Sequence, residues 1–267
     1  TYLRSGAPGL VLRPGTASEA AEALVFARQQ QVPLAVRSGG HGISGRSTND
    51  GGIVIDLARL DRVEVTGTRV RVGPGASWGH VAESLAPAGL AMSSGDYGDV
   101  GVGGLATAGG IGFLARKFGL TIDHVTAAEL VLADGRIVRA DASQNPDLLW
   151  ALRGSGGNFG IVTAFELDAY PVSDVVFAHM LYDATDATGL LECWGKLVEA
   201  APRELTSFLY LSPGRGGSAP VAQALTVWAG DDTDAAVGAL TPLLSVAPVL
   251  QQQAQLLPYA AIVAPHD

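Results

Sequence analysis

The chain has 267 residues, 48% of them apolar and 16% charged, with a formal net charge of −9. That length builds a sizeable core in one large domain or two ordinary ones, and the composition excludes a disordered chain. The acidic balance excludes a nucleic-acid partner, because no basic stripe is present to neutralise phosphates.

"LVLRP" (10–14) reads as a strand, and "TASEAAEALVFARQQQ" (16–31) as a helix capped by Thr16 or Ser18. "VPLAVRSG" (32–39) is a buried strand that opens into glycine. "GIVIDLARL" (52–60) is a further strand, and "RVEVTGTRVRVGPGA" (62–76) a hairpin around "TGT". A helix is expected over 77–90, then a glycine-rich region over 95–125. The segment 127–140 reads as a hairpin with an "ADG" turn. Residues 145–172 hold a helix begun by proline, a glycine loop and a strand. After Pro171 glycine thins out. There the pattern becomes strand (175–182), helix (187–200), strand (205–212), strand (221–229), helix (232–246) and strand (249–256). A domain boundary is expected at 171–174.

A single cysteine, Cys193, cannot close an internal disulfide. No apolar run reaches transmembrane length, and no signal-peptide pattern opens the sequence. The expectation is a cytoplasmic protein with no membrane partner. Lysine is confined to Lys117 and Lys196, and Ala, Gly and Val are abundant. This composition suggests a GC-rich, bacterial genome.

The chemistry lies in the 35 glycines. Fourteen of them gather in three loops, 39–45, 101–112 and 154–160, each beside a strand or helix end. Successive backbone N–H groups without side chains make a concavity for an anion such as a pyrophosphate. One such loop by itself reads better as a plain glycine turn. Three suggest a long cofactor approached closely by the backbone. No G-x-G-x-x-G opens a helix with an acidic residue about 20 positions on, and no phosphate-binding G-x-x-x-x-G-K-[ST] is present. The histidines have no metal-ligand spacing, so no metal is expected.

Five segments carry a resemblance: "PLAVRSGGHGISG", "GGIVIDLARL", "VRVGPGASWGHV", "GVGGLATAGGIGFLARKFGLTIDHV" and "DLLWALRGSGGNFGIVTAFEL". In order and spacing they resemble the FAD-linked oxidases of the vanillyl-alcohol oxidase superfamily, in the branch typified by the berberine bridge enzyme. The resemblance implies an α+β protein with the two-domain FAD-binding fold of that type. An FAD-binding domain would occupy 1–171, and an incomplete substrate domain of antiparallel sheet and helices 172–267. It implies FAD attached covalently through His41, with the N–H groups of Ser38 to Gly42 on the pyrophosphate. The cofactor residues it points to are Arg37, Ser38, Gly39, Gly40, His41, Gly42 and Ser44. From the second loop come Asp99, Val100, Gly101, Gly103, Gly104, Thr107, Gly109, Gly110 and Gly112. From the third region come Gly160, Ile161 and Val162.

Some relatives attach a cysteine to the flavin as well. Tyr97 occupies that position here, so a single link is expected. Val100 falls where relatives govern oxygen access, and valine there favours an oxidase. Asp99 either hydrogen-bonds the flavin or caps a turn. Tyr97, Tyr182 and Tyr210 either face substrate or pack in a core or interface. Asp123 and His124 read as turn formers, and His80 as a surface residue. His179 and His266 have no partner that the sequence reveals.

The relatives are longer, and their chain returns to the flavin domain with a segment whose tyrosine often serves as base. That segment is absent from these residues, so the base is expected outside them. The expectation is a fragment or cleaved chain, completed by a C-terminal segment or a second chain. By resemblance the reaction passes hydride from a small molecule to the flavin, and oxygen reoxidises it to give hydrogen peroxide. Natural products, drug-like compounds and sugars are the substrate classes implied. Two other readings stand beside it. One is a flavin-containing drug-binding or resistance protein with weak turnover. The other is a nicotinamide-dependent reductase on the same superfold, against which the intact "GGHG" counts.

Overall fold

The computed structural model describes residues 5–214 and 218–263. The chain divides into two compact units. One takes in the described residues up to Ile111, then Leu120–Pro171 and Val263; the other takes in Gly112–Gly119 and Val172–Ile262. His266 lies outside the described residues. Among them, no helix is long and apolar enough to cross a membrane.

In the first unit, β1 (Leu10–Leu12), β2 (Leu34–Arg37) and β3 (Ile53–Asp56) form a parallel sheet in the order β1-β3-β2. All four residues of β3 are buried, as expected of a central parallel strand covered on both faces. α1 (Ala17–Gln30) makes the crossover between β1 and β2. Its start is fixed reciprocally: Thr16 Oγ1 accepts from the Glu19 amide at 3.1 Å, and the Glu19 carboxylate accepts from the Gly15 amide at 2.6 Å. Ala20 and Leu24 of α1 pack with Ile55, Leu57, Val131 and Ile161.

The same unit holds an antiparallel sheet in the order β4-β5-β9-β7-β8. Its strands are β4 (Val63–Thr66), β5 (Arg69–Val72), β7 (Val125–Val131), β8 (Ile137–Asp141) and β9 (Ile161–Asp168). A small pair joins β6 (Leu90–Ala91) to β10 (Tyr170–Pro171). Across the larger sheet, Arg139 holds Glu166 through two bonds of 2.6 and 3.0 Å and Asp141 through one of 2.6 Å. These contacts keep the Glu166 carboxyl below its ordinary value. Asp141 is lowered too, first by the Ser143 hydroxyl and then by Arg139.

The helices of this unit correct two expectations. α2 (Trp78–Leu85) stops short of the predicted end at 90 and passes into a 3₁₀ turn over Ala86–Ala88, because Pro87 has no N–H to continue the α ladder. The region read as a glycine loop over 101–112 contains α3 (Val102–Ala108). Its glycines disfavour a helix, but tertiary acceptors take first-turn N–H groups that have no intrahelical partner. Val102 donates to Ala76 O at 2.9 Å and Gly103 to Pro74 O at 3.1 Å. α5 (Pro146–Leu152) begins at its proline as expected.

The second unit is an antiparallel sheet in the order β12-β13-β11-β14. Its strands are β11 (Asp174–Asp183), β12 (Leu205–Ser212), β13 (Val221–Trp228) and β14 (Val249–Pro258). α6 (Ala187–Ala200) and α7 (Thr233–Leu240) supply residues to the core on one sheet face. There Met180, Tyr182, Leu190, Leu205, Trp228 and Leu240 meet. Alternate strand residues point to this face, which is why the sequence alternates there. The helix expected over 232–246 ends at Leu240 and continues as a 3₁₀ turn, Thr241–Ser245, at Pro242. α8 (Tyr259–Ile262) follows β14. α4 (Ala115–Phe118) also belongs to this unit. Arg116 donates to Leu205 O and Ala201 O at 2.7 and 3.0 Å, and Lys117 to Ala229 O at 2.8 Å. Those bonds explain why a contiguous division at 171 does not describe the packing.

Candidate cofactor site

β2 and β3 run parallel and in register, with Arg37 opposite Asp56. The Arg37 guanidinium lies 3.0 Å from the Asp56 carboxylate. Arg37 is thus committed to the strand end, and its stem lies beneath Gly40, where an added Cβ would sit 3.5 Å from Cδ. Ser38 comes next. Its hydroxyl donates to Pro74 O at 2.5 Å and accepts from the Gly103 amide at 3.2 Å. Ser38 therefore stitches together the β2 loop, the "GPG" turn and α3.

Gly39 and Gly101 touch backbone to backbone. A Cβ on Gly39 would meet Gly101 N at 2.5 Å, and one on Gly101 would meet Gly39 N and Ser38 Oγ. The first two glycine loops are joined here, and only glycine allows the approach. Gly40 adopts a φ of +74°. Among the described residues no backbone acceptor takes the N–H groups of Gly39, Gly40, His41 or Gly42. Four successive unsatisfied donors form an anion-binding concavity. His41 is half-buried within it, while Gly42 and Ser44 are exposed. The His41 ring faces Tyr97, with centroids 5.9 Å apart.

A cavity of about 120 Å³ opens beside this turn. Ser38, Pro74, Gly103, Gly104 and Thr107 form its polar and backbone side; Val36, Leu57, Ile161 and Val162 form its apolar side; Gly156, Gly157 and Gly160 complete it. Its volume is below the roughly 300–1,000 Å³ typical of a whole small-molecule site, so it fits a section of a long cofactor. Gly104, Gly156 and Gly157 face open space that side chains would fill. Ser155 Oγ, beside Gly156, is buried without a hydrogen-bond partner. Nest, small-residue walls and orphaned hydroxyl together fit a dinucleotide lying along the three loops.

The remaining predicted residues divide by role. Thr107 Oγ1 donates to Gly103 O at 2.9 Å, and its carbonyl accepts from Gly154 and Gly156 at 2.9 and 3.0 Å. Thr107 thereby ties the third loop to α3. The carbonyls of Gly109 and Gly110 accept from Ile122 and Thr121, so both clasp the following turn. Val100 and Asp99 lie in the turn closed by Val100 N and Tyr97 O at 3.3 Å. Gly112 is grouped with the other unit.

Asp56, Pro74, Leu57, Gly156 and Gly157 were missed as individual site residues. The "GPG" and "GSGG" patterns were the available signals, whereas the Asp56 partnership required strand register.

Burial resolves one tyrosine alternative. Tyr182 is a core residue whose hydroxyl donates to Leu243 O at 2.9 Å, and burial raises its pKa to about 12. Tyr210 is 45% exposed at the end of β12. Asp123 caps its turn by accepting from the Leu120 amide at 2.8 Å. His124 ends the 3₁₀ turn Thr121–His124, as expected of a turn former, and is buried with Nδ1 3.0 Å from the Tyr170 hydroxyl. His80 is exposed, and His179 Nε2 is buried without a hydrogen-bond partner. No group of three or more potential metal-ligating side chains occurs among the described residues.

Residues 8–141 match the FAD binding domain family. The chain is 35% identical over 225 residues to (R)-6-hydroxynicotine oxidase of Paenarthrobacter nicotinovorans, covering 84% of this chain and 49% of that protein. It is 36% identical over 198 residues to xylooligosaccharide oxidase of Thermothelomyces thermophilus, covering 72% and 40%. Among solved structures, 6-hydroxy-D-nicotine oxidase of Arthrobacter nicotinovorans superposes with a TM-score of 0.91 at 29% identity, over 97% of this chain and 58% of that one. A BBE-like protein of Physcomitrella patens gives 0.86 at 26% identity, over 96% and 57%. The chain spans about half the length of the curated relatives it matches.

Proposed function

Because the chain belongs to the FAD binding domain family, among oxidases of the vanillyl-alcohol oxidase type, we propose that it holds FAD covalently through His41 and serves the oxidation of a small organic molecule. The observation that carries this reading is the run of four free N–H groups, Gly39 to Gly42, beside a cleft walled by glycine. These donors bind the pyrophosphate. Gly104, Gly156 and Gly157 let the cofactor approach the backbone, and Val36, Leu57, Ile161 and Val162 keep water from its apolar side. His41, held among the donors, supplies the imidazole nitrogen for attachment. When bound, FAD supplies the two-electron acceptor that takes hydride from substrate and passes the electrons to oxygen as hydrogen peroxide.

Val100, at the position linked by resemblance to oxygen access, has the small side chain that suits an oxidase. Natural products, drug-like compounds and sugars are the proposed substrate classes, in keeping with relatives named for 6-hydroxynicotine and xylooligosaccharide. Tyr97 stands beside His41 and is the chain's candidate for the substrate side of the site. The base is assigned to no residue of this chain.

The test is acid precipitation of the purified chain, followed by flavin spectra of pellet and supernatant. Flavin in the wild-type pellet, and none in the pellet of His41→Ala, is the expected result. Flavin wholly released from the wild type refutes the covalent link, and a flavin-free chain refutes the cofactor reading. Peroxide release on a substrate panel then separates an oxidase from a resistance protein with weak turnover.

A further inference from the structure

The His41 imidazole carries few restraints of its own. It is flanked by Gly40, at a φ of +74°, and Gly42, and no hydrogen bond fixes it among the described residues. One aromatic contact faces it: the Tyr97 ring, centroids 5.9 Å apart and planes inclined at 56°.

Tyr97 stands on much firmer backbone. Its carbonyl closes the turn to Val100. Gly98 O accepts from the Gly79 amide at 2.8 Å and Val100 O from the Trp78 amide at 3.0 Å, anchoring the turn on α2. Trp78 itself is 1% exposed. The close approach of Gly39 and Gly101 sets the spacing between the two loops, and Arg37, paired with Asp56, supports Gly40 from below. A rigid aromatic ring is thus set against a histidine that lacks restraints of its own.

We propose that Tyr97 is a positioning residue for flavin attachment: its ring restricts the His41 imidazole to the orientation from which the covalent bond forms. This rests on the reading of His41 as the attachment site. In that bond formation the imidazole gives up its N–H hydrogen and the flavin 8α-methyl group gives up one C–H hydrogen. A C–N bond replaces them, and oxygen, the oxidant, takes both hydrogens with their electron pair as hydrogen peroxide. Orientation of the attacking nitrogen governs how fast this happens. An aromatic contact of this kind is worth roughly a three- to tenfold change in rate.

The experiment follows the full chain isolated at successive times after induction. Acid divides its bound flavin into attached and released fractions, and the attached share over time gives the linking rate. In Tyr97→Leu the bound total is expected to be unchanged, while the attached share rises about three- to tenfold more slowly. Tyr97→Phe, which keeps the ring, is expected to match the wild type. Tyr97→Leu/His41→Ala is expected to hold as much reversible flavin as His41→Ala alone. Tyr97→Met repeats the test if leucine is not accommodated.

Four results overturn the proposal. Wild-type flavin that is wholly acid-released removes the attachment reading and this inference with it. Equal linking rates in the wild type and Tyr97→Leu remove the inference alone. A drop in reversible flavin specific to the double variant makes Tyr97 part of the cradle wall instead. Linking in Tyr97→Phe as slow as in Tyr97→Leu assigns the effect to the hydroxyl and not to the ring.

Discussion

Gly104→Leu separates folding from cofactor binding. Gly104 lies in the first turn of α3, lines the cavity and has no atom within 4 Å of a would-be Cβ. Leucine is the better helix former by about 0.5–1 kcal/mol. At roughly 2–4 °C per kcal/mol for a chain of this size, the flavin-free variant should melt at or slightly above the parent temperature. Its four-carbon side chain, however, enters a cavity of about 120 Å³, in the space proposed for FAD. The comparison is made in the His41→Ala background, where binding is reversible. FAD at 100 times its Kd stabilises the parent by about 2.7 kcal/mol, and the leucine variant should lose most of that increment. Thermal melting with and without FAD reads both quantities. Gly39→Ala is the control with opposite behaviour. Its Cβ would meet backbone at 2.5 Å, a clash no rotamer relieves, costing about 1–3 kcal/mol before any ligand is added. A leucine variant that keeps the full FAD increment refutes the placement of the cofactor beside α3.

Ser38→Ala should cost only about 1 kcal/mol and roughly 2–4 °C in melting temperature. Gly103 N already donates to Pro74 O at 3.1 Å, so both keep a partner when the hydroxyl is gone; an unchanged melting temperature would contradict the stitching role. Arg139→Ala should lower stability at neutral pH. Because Arg139 depresses the Glu166 carboxyl and contributes to lowering Asp141, that stabilisation is present above the ordinary carboxylate range of about 4 and disappears as pH falls through the lower folded values. Urea midpoints from pH 7 down to 2 check it, and a wild-type-to-variant gap that widens in acid counts against it. Tyr182→Phe should remove a tyrosine ionisation step near pH 12 from an alkaline absorbance titration. Tyr182 has a raised folded pKa, so its contribution is intact below about pH 10 and is lost as pH rises through 12. Its substitution should cost about 1 kcal/mol at pH 7 through loss of the bond to Leu243 O, readable from the urea midpoint.

Local signals carried much of the fold. The strand pattern expected over 205–212 and 221–229 matches β12 and β13, Pro146 marks the start of α5, and Thr16, one of the two cap candidates, caps α1. Each depends on groups a few residues apart, as a strand period or a helix cap requires. The glycine loops were legible as a cofactor signal for the same reason, since a run of side-chain-free amides is written contiguously; the role expected of His41 came from the family resemblance. Pro87 and Pro242 ended α2 and α7 earlier than their apolar periodicity indicated, since a missing N–H overrides a favourable face.

The cradle itself depended on tertiary structure. Ser38 bonds across 36 residues to Pro74 and across 65 to Gly103. Arg37 finds Asp56 only through parallel register, which diverts its charge to the strand end. α3 exists because Ala76 and Pro74 carbonyls meet its first-turn amides, and the segment 112–119 groups with the second unit because Arg116 and Lys117 bond to its carbonyls. The ring of Tyr97 meets that of His41 in the same way. A sequence displays the donors, acceptors and small residues available. Which donor reaches which acceptor is decided when packing brings distant segments to within about 3 Å, the range over which a hydrogen bond acts.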